Sequence, residues 1–515
     1  MSRNIPSGIV ARLFVVLLFI SVTALGITFS IYLALAAHTL TMYLVAVSFA
    51  LLTLVSGIFN SISAYTYYRS AFYDAYLEKI KKSLSPMKNH PAVAIAIPVY
   101  NEDPAMLDRN LARLEELNYE KSRLKYYVVD DSTKEDLRCR IEAIAKKHGA
   151  VYLHRAERKG FKAGALNNML KHSNEQFIAV FDADERLTNR NFLKELLPYF
   201  QDKRIAFVQT EKRYAKGTFF SDSVDLFDAI FFKFIQPARA INGTSIYAGS
   251  CGIIRRSALD AIGGFPEYII EDTFFSFEAD VHSYRSIYIP KVYALGKPVK
   301  TFTELMRQQW RYNYGDTQFL FHLIKKRKAI DRQSISPICR IDYMTHGFGL
   351  NYLSGVLILF TIVSVMIVFS SFSMAFSVNR LFSLQNPGFT LEYLGISAFI
   401  LSILMPIFIT KAYFNSVSKG LMIFILNFAL AFTRLKAALA AVLNLNPIGG
   451  WVKGDALKAG IVNAFRKSTV EMVFSAMLIA AGAASAILYN LAGAIWLSWY
   501  SLLYISTFIM FFKYG

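Results

Sequence analysis

The feature that most restricts how this chain folds is a set of long apolar stretches near its two ends. Residues 13–36 contain no charged side chain, and a second uncharged stretch follows at about 42–67. About 20 helical residues are enough to cross the hydrocarbon of a bilayer. Four further apolar stretches bring the expected number of transmembrane helices to six; they lie at about 347–371, 391–410, 470–489 and 492–512.

The segment between these two groups has the composition of a soluble domain, with charged residues throughout and short strand-like apolar runs. The sequence therefore predicts four parts. They are two N-terminal transmembrane helices in 1–67, a cytosolic domain in 68–325, an interfacial helix or linker in 326–346, and a C-terminal membrane domain in 347–515.

Basic residues predict the orientation of the chain. Lys and Arg number 56 against 37 acidic residues, a formal net charge of +19, which nucleic-acid binding could explain. The expected external loops (37–41, 372–390 and 490–491) contain only Arg380 as a strong charge, so the excess lies on the other side. By the positive-inside rule, both termini and the soluble domain of a plasma-membrane protein are cytoplasmic. No nucleic-acid partner is expected.

The stretch at about 418–444 is apolar but contains Arg434 and Lys436. One such charge at a helix centre costs about 2.5 to 3.5 kcal/mol on the insertion scale. We therefore expect an interfacial helix on the cytoplasmic leaflet, with a re-entrant segment as the open alternative.

Apolar runs alternate with helical segments in the soluble domain. The runs VAIAIPV (93–99), RLKYYVVDD (123–131) and FIAVFDAD (177–184) each lead into polar residues. This alternation predicts an α/β domain with a mostly parallel sheet, whose ligands bind beyond the carboxyl ends of the strands. The residues expected at that edge are Tyr100, Glu102, Asp130, Asp131, Asp182 and Asp184.

The Asp182-Ala183-Asp184 tripeptide is the most informative of these pieces. In an extended segment both carboxylates point to one side and repel each other unless a cation or donors neutralise them. Mg²⁺ and Mn²⁺ prefer oxygen ligands, so Asp184 and Asp182 are candidate metal ligands. A solvated loop is the alternative, and the preceding apolar run FIAVF argues against it.

Three further segments carry suitable chemistry. Lys162 lies in a basic segment, 155–170, at an expected helix start, where a diphosphate or merely a solvated turn would fit. Glu271-Asp272 follows an apolar pair, so it is either a buried general base or a surface pair. The segment 306–316 combines arginines with aromatic residues, which suits a sugar or nucleotide but also an amphipathic helix at the membrane surface.

In their order and spacing these pieces resemble one family. The matching elements are PVYNED (98–103), VVDDS (128–132), KAGALN (162–167), DAD (182–184), ED (271–272) and QQWRY (308–312). Together with the helices on either side, they resemble the membrane-embedded processive family 2 glycosyltransferases, which include cellulose, chitin and hyaluronan synthases. The resemblance implies a GT-A-like (Rossmann-like) domain inserted in an α-helical membrane domain.

The resemblance also implies roles for individual residues. The nucleoside pocket would contain Tyr100, Glu102 and Asp131, with Asp130 as a further candidate. Lys162 would contact the diphosphate, Asp182 the nucleotide and Asp184 the metal. Asp272, beside Glu271, would be the general base, and Arg311 would stabilise the departing diphosphate. Residues at the acceptor and channel entrance would be Gln308, Gln309, Trp310 and Tyr312.

Two elements depart from the family pattern. The usual Gln-x-x-Arg-Trp ends here in Tyr312, which keeps an aromatic face but suits a different acceptor. The nucleotide-covering gating loop is matched only loosely by NPIGGWVKGDALK (446–458), in which Trp451 and Lys453 are candidates to close over a diphosphate.

These observations predict an inverting hexosyltransferase that polymerises a β-linked polysaccharide from a nucleotide-diphosphate sugar and moves it across the membrane. UDP is favoured as the nucleotide only by its frequency in the family. One alternative is a membrane glycosyltransferase that adds a single sugar to a lipid or lipid-linked acceptor. A non-catalytic transporter is disfavoured, because it leaves the ordered motifs of the soluble domain without a role.

Overall fold

An eight-stranded mixed sheet forms the centre of the soluble domain. The computed structural model describes residues 7–85, 87, 89–332, 335–370, 404–445, 461–488 and 490–515. The strand order is β3–β2–β1–β4–β7–β6–β8–β5. The strands are β1 Val93–Val99, β2 Leu124–Asp130, β3 Val151–His154, β4 Phe177–Val180, β5 Arg186–Leu187, β6 Ile205–Tyr214, β7 Gly252–Arg255 and β8 Arg285–Gly296.

The first half of the sheet confirms the strands expected from the apolar runs. β1 pairs in parallel with β2 on one side and β4 on the other, and β2 pairs in parallel with β3. Val99 lies opposite Asp130, so β1 and β2 end at the same level. The loops that follow these two strands therefore start side by side at one edge of the sheet.

The second half of the sheet differs from the mostly parallel arrangement that the sequence predicts. β7 runs antiparallel to both β4 and β6, while β6 and β8 pair in parallel and β5 pairs antiparallel with β8. The glycines of the segment 247–265 predict a turn leading into a helix, and the structure has the strand β7 between the turn and the helix Arg256–Ile262. Its four-residue strand β7 is too short to stand out as an apolar run, and its direction depends on tertiary pairing.

Side chains of the central strands alternate between two apolar clusters. In β1, Val93, Ile95 and Ile97 belong to one cluster, and Ala94 and Ala96 to the other. This two-residue period buries both faces of the strand, as expected for a parallel strand covered by helices. The helices of this region are α3 Tyr73–Ser83, α4 Pro104–Leu114, α5 Glu135–Lys147, α6 Phe161–Leu170, α7 Phe192–Leu196, α8 Phe219–Ile230, α9 Gln236–Asn242, α10 Arg256–Ile262, α11 Glu271–Val281 and α12 Phe302–Arg332.

Among the residues that the structure describes, four helices are long and apolar enough to cross a membrane, and they match four of the six expected spans. Their apolar portions are Arg12–Ala36, Leu40–Ser70, Thr469–Ile487 and Gly493–Tyr514. The complete helices at the two ends are α1 Ser7–Ala36, α2 Leu40–Ser70, α13 Pro337–Phe369, Leu404–Phe414, Val417–Ala429, Ala431–Val442, Ile461–Lys467, Thr469–Ile487 and Leu491–Tyr514.

The other two expected spans are only partly described. The stretch 347–371 falls largely in α13, whose apolar portion Leu353–Phe369 is shorter than a full span. Most of 391–410 lies outside the described residues, as does the candidate gating loop 446–458 with Trp451 and Lys453. Helix α12 crosses the expected domain boundary at 325 and continues to Arg332.

The segment expected as an interfacial helix forms two helices, Val417–Ala429 and Ala431–Val442, bent by 44° at Leu430. We call them the bent helix pair. Arg434 in the second helix is completely buried, and its guanidinium donates to Oδ1 of Asn427 at 3.1 Å. Two of its three guanidinium nitrogens donate to side-chain amide oxygens, Nη1 to Asn427 and Nε to Gln309, while buried Nη2 has no hydrogen-bond partner among the described residues. Because protein side chains hold part of this group, Arg434 does not by itself exclude the bent helix pair from the membrane.

Candidate active site

The Asp182-Ala183-Asp184 tripeptide forms a turn after β4, and the expectation of an extended segment is wrong. The backbone N–H of Glu185 donates to the carbonyl of Asp182 at 2.9 Å, and the side chain of Glu185 accepts from the backbone N–H of Asp182 at 2.9 Å. Strand β4 ends at Val180, and these two hydrogen bonds close the turn that follows it. The two aspartates therefore have different surroundings rather than one shared face.

Asp182 is bracketed by two lysines. Its Oδ1 lies 2.5 Å from Nζ of Lys162, and its Oδ2 lies 3.6 Å from Nζ of Lys212. The hydroxyl of Ser250 also donates to Oδ2 at 2.9 Å. Burial raises the pKa of Asp182, but the two ammonium groups outweigh burial and lower it overall. Asp182 is therefore an anion without any metal ion.

Lys162 connects this turn to the loop before β7 that contains Gly249, which we call the glycine loop. It is the second residue of α6, which begins after Gly160 in the left-handed conformation (φ +73°). Its Nζ donates to the carbonyl of Gly249 at 2.9 Å as well as to Asp182. Burial lowers the pKa of Lys162, but the carboxylates of Asp182 and Glu271 raise it by more. The lysine of the KAG motif is thus a fixed, charged donor.

Asp184 has the opposite environment. No hydrogen bond or ion pair from the described residues reaches its carboxylate. Burial, followed by the negative charges of Asp182 and Glu185, raises the pKa of Asp184 to about 7. A carboxylate that is half-buried among acids, without a cation of its own, is a site that a divalent cation would stabilise. The described residues contain no cluster of three or more metal-ligating side chains, so such an ion would need ligand atoms from elsewhere.

Glu271 and Asp272 occupy the first turn of α11, beside the same glycine loop. A Cβ atom added to Gly249 would lie 3.3 Å from Oδ2 of Asp272, 3.6 Å from Nζ of Lys162 and 3.8 Å from Oε1 of Glu271. Gly249 has φ +79°, a conformation that favours glycine. The lysine and the acid pair therefore meet at one point, over a backbone without a side chain.

The acid pair holds protons more tightly than ordinary carboxyl groups. Burial, and then the charge of Asp272, raises the pKa of Glu271 to about 7. Burial likewise raises the pKa of Asp272, against the backbone N–H of Thr273, which donates to its Oδ1 at 2.8 Å. The guanidinium of Arg311 on α12 and Lys162 lower both values. A general base of this kind is tuned toward neutral pH.

The QQWRY segment on α12 divides between two surroundings. Gln308 is half-buried and donates to the hydroxyl of Tyr312 at 3.2 Å and to that of Tyr214 at 3.5 Å. Gln309 is buried and accepts from Nε of Arg434 at 3.0 Å. Trp310 packs against alanines of the bent helix pair. The structure therefore places Gln309 in the contact between α12 and the bent helix pair.

The loops after β1 and β2 carry the residues expected to bind the nucleoside. Asp131 is buried and receives a bidentate pair of hydrogen bonds from Arg155, at 2.8 and 2.5 Å. The guanidinium of Arg158 stacks on the ring of Tyr100 at 3.6 Å. Both oxygens of Asp130 are already used, by the backbone N–H of Ser132 and the hydroxyl of Tyr152, at 2.8 Å each. Glu102 adds its negative charge to the surroundings of Asp184.

Sequence reasoning missed the groups that surround Asp182. Lys212 lies near the end of β6, in the run VQTEKRY, and Glu185 follows the DAD tripeptide directly. Ser250 precedes β7 and donates to Oε1 of Glu185 at 2.7 Å. The pairing of β7 with β4 brings Ser250 to the turn, and the pairing of β6 with β7 brings Lys212, so no spacing along the sequence indicates either of them. The acid at position 185 was the one visible signal.

The mixed sheet and the acidic turn at its edge are the features of a GT-A-like nucleotide-sugar domain. Residues 94–263 match the family model described as Glycosyl transferase family 2, and the chain thus contains a family 2 glycosyltransferase domain.

Two curated proteins with different activities are similar to this chain in sequence. Over 266 residues the chain is 28% identical to a cellulose synthase catalytic subunit (UDP-forming) of Pseudomonas fluorescens, covering 50% of this chain and 35% of that protein. It is 30% identical over 243 residues to a beta-monoglucosyldiacylglycerol synthase of Trichormus variabilis, covering 44% and 49%. The chain therefore spans about a third to a half of the length of these relatives.

Solved structures provide a further comparison. The mannosyltransferase PcManGT from Pyrobaculum calidifontis, in complex with GDP-Man and Mn²⁺, superposes with a TM-score of 0.46 at 18% identity. The match covers 74% of this chain and 99% of that one.

Proposed function

We propose that the chain is an inverting hexosyltransferase that moves a sugar from a nucleoside diphosphate to an acceptor hydroxyl at the cytosolic face of a membrane. The observation that carries this proposal is the meeting of Lys162, Asp272 and Glu271 around Gly249. A cation for a diphosphate (Lys162) and a buried base (Asp272) both lie within 4 Å of one point, the position of a Cβ atom added to Gly249. That arrangement suits displacement of a diphosphate by a hydroxyl.

The donor would lie along the edge where β1, β2 and β4 end. Lys162 would contact the diphosphate, while Asp182 holds the lysine in place through its 2.5 Å contact. Tyr100 and Asp131 would bind the nucleoside, Asp131 being oriented by Arg155. Because both oxygens of Asp130 are occupied, we assign it the positioning of this loop. The two hydrogen bonds from Arg155 leave lone pairs on the carboxylate oxygens of Asp131, and these can accept hydrogen bonds from the nucleobase.

The surroundings of Asp184 fit a divalent cation, Mg²⁺ or Mn²⁺. The carboxylate is without a protein cation, and diphosphate oxygens would supply the remaining ligands. Asp182, already paired with Lys162, is the poorer candidate ligand. When bound, the ion would offset charge on the diphosphate.

The chemical step follows from the acid pair. Asp272 would take the proton of the acceptor hydroxyl, and the acceptor oxygen would form a bond to the anomeric carbon as its bond to the diphosphate breaks. Attack from the face opposite the leaving group inverts the configuration, so an α-linked donor gives a β-linked product. Arg311, whose charge already acts on Asp272, would offset the negative charge that grows on the diphosphate.

We propose a growing polysaccharide as the acceptor, with translocation of the product through the membrane helices. Similarity to cellulose synthase subunits and the QQWRY segment support this substrate, because Trp310 joins the acceptor helix α12 to the bent helix pair. The relative that makes a glucosyl lipid supports a second candidate, the transfer of one sugar to a lipid acceptor. In both cases UDP-sugars are the first donors to test.

The test uses the full chain in lipid nanodiscs, Mg²⁺ or Mn²⁺ and a panel of radiolabelled nucleotide sugars. Label in a large product that stays out of organic solvent would establish polymer synthesis, and a small solvent-extractable product would establish lipid glycosylation. Asp272→Asn should abolish either product. The matched control Asp260→Asn, an exposed acid on α10, should leave it unchanged. No product from any donor would refute the proposal.

A further inference from the structure

The donor region contains more negative than positive side chains, although its proposed ligand is an anion. Six carboxyl groups and three cationic groups act on one another among the described residues there. The carboxyl groups are those of Glu102, Asp182, Asp184, Glu185, Glu271 and Asp272, and the cations are those of Lys162, Lys212 and Arg311. A diphosphate can bind in such surroundings only if each cation is held in a position where its charge offsets the neighbouring carboxylates.

Lys162 and Arg311 belong to the expected motifs, but Lys212 does not. Its Nζ lies 3.2 Å from Oε1 of Glu185 and 2.5 Å from the hydroxyl of Ser250. Glu185 is 3% exposed, so this ion pair is inside the protein rather than on its surface. A buried carboxylate of this kind is stable only with a cation and hydrogen bonds beside it.

The position of Lys212 relative to Asp182 gives it a second effect. Lys162 approaches one oxygen of Asp182 and Lys212 faces the other, so the carboxylate lies between two ammonium groups. Without Lys212, Lys162 would be the one cation left in contact with Asp182 among the described residues, and its charge would also have to offset the buried Glu185. Less of the charge of Lys162 would then be available to a diphosphate.

Lys212 also acts on Asp184. Its Nζ lies 3.6 Å from Oδ2 of Asp182 and 3.2 Å from Oε1 of Glu185, the residues on either side of Asp184 in the turn. A positive charge in that position repels any cation that approaches Asp184 alone. The same lysine thus disfavours a bare metal ion and favours an anionic nucleotide.

Resting on the proposed function, we infer that Lys212 is a positioning residue for the donor diphosphate. It sets the charge balance of the DAD turn so that nucleotide and metal bind together rather than the metal alone. The rigid strand β6 supplies it, from outside the expected motifs.

The experiment measures two affinities of the full chain in detergent. UDP and GDP are titrated calorimetrically in EDTA and with Mn²⁺, and Mn²⁺ alone is titrated by electron paramagnetic resonance. Lys212→Gln removes the charge but keeps a donor for Ser250. We expect nucleotide affinity to fall about tenfold while the affinity for Mn²⁺ alone rises several-fold. Opposite shifts cannot come from a general loss of structure.

Two further variants complete the test. Lys212→Arg keeps the charge and should restore nucleotide binding to within a few-fold of wild type; it also serves if the Gln variant does not fold. Lys216→Gln, an exposed lysine just beyond β6, should change neither affinity. Unchanged affinities in Lys212→Gln, a parallel loss of both, or a folded Arg variant without nucleotide binding would each overturn the inference. Failure of the wild-type chain to bind any nucleotide would instead refute the proposed function.

Discussion

Nε of Arg434 donates to Oε1 of Gln309 at 3.0 Å, and this bond joins the bent helix pair to α12, the helix that carries the QQWRY segment. Both side chains are buried. The contact ties a helix of the C-terminal region to the residues next to Gln308 and Arg311. A shift of the bent helix pair would therefore move α12, and with it Arg311, whose charge acts on the acid pair.

The first prediction concerns this contact. Gln309→Met leaves a buried guanidinium with one acceptor fewer, whereas Arg434→Met leaves only neutral amide oxygens unpaired. We expect Gln309→Met to be the more destabilising of the two, by about 1 to 3 kcal/mol relative to wild type. Denaturation in detergent of the two single variants and the double variant measures this. Strictly additive losses would show that the two side chains are not coupled.

The second prediction concerns Gly249. Gly249→Ala places a methyl group 3.3 Å from Oδ2 of Asp272, at a backbone angle that disfavours alanine. We expect kcat to fall by about 10-fold to 100-fold, because crowding and backbone strain together shift Asp272, and a displacement of about 1 Å at a reacting centre costs about 100-fold. Gly149→Ala is the matched control, since Gly149 has φ +63° but no atom within 4 Å of an added Cβ. Equal losses in both variants would mean that backbone strain alone is responsible.

The third prediction concerns a divalent ion at Asp184. The pKa of this carboxyl group is about 7, so it is mostly protonated at pH 6 and mostly ionised at pH 8. With UDP present to supply the remaining ligand atoms, Mn²⁺ should therefore raise the melting temperature more at pH 8 than at pH 6. Asp184→Asn should remove the difference. A Mn²⁺ effect that is equal at both pH values would place the ion elsewhere.

The fourth prediction concerns the pH dependence of activity. Asp272 must be ionised to accept a proton, and burial raises its pKa, so kcat/KM should rise with pH along a limb displaced above the ordinary carboxyl range. Arg311 lowers the pKa values of Asp272 and Glu271, so Arg311→Gln should move this limb to higher pH as well as lower the rate.

The control for that shift is Arg307→Gln. Arg307 is exposed and lies one turn earlier on α12, so its removal should leave the limb in place. A limb that Arg311→Gln does not move would show that another group controls the protonation of the base.

Much of the fold follows from local sequence signals, and the residues show why the rest does not. The apolar run 93–99 predicts β1 because a buried strand needs only its own composition. β7 has four residues and owes its direction to pairing with β4 and β6, which no local pattern encodes. Asp182 and Lys162 belong to motifs that the resemblance places in one donor site, so they could be expected near one another. Lys212 belongs to no such motif, so its position beside Asp182 could not be expected. The burial of Arg434 depends on Gln309 and Asn427, which lie far from it or on the preceding helix.

The common end point of β1 and β2, with Val99 opposite Asp130, has an evolutionary consequence under the proposed assignment. The loops after these two strands hold Tyr100 and Asp131, while the reacting groups come from β4, α6 and α11. The proposed nucleoside contacts and most of the reacting groups are thus encoded in separate stretches of the gene, and the segment 155–170, with Arg155 and Lys162, serves both. A descendant could adopt a new donor base through a handful of substitutions near 100 and 131 and inherit the catalytic apparatus intact.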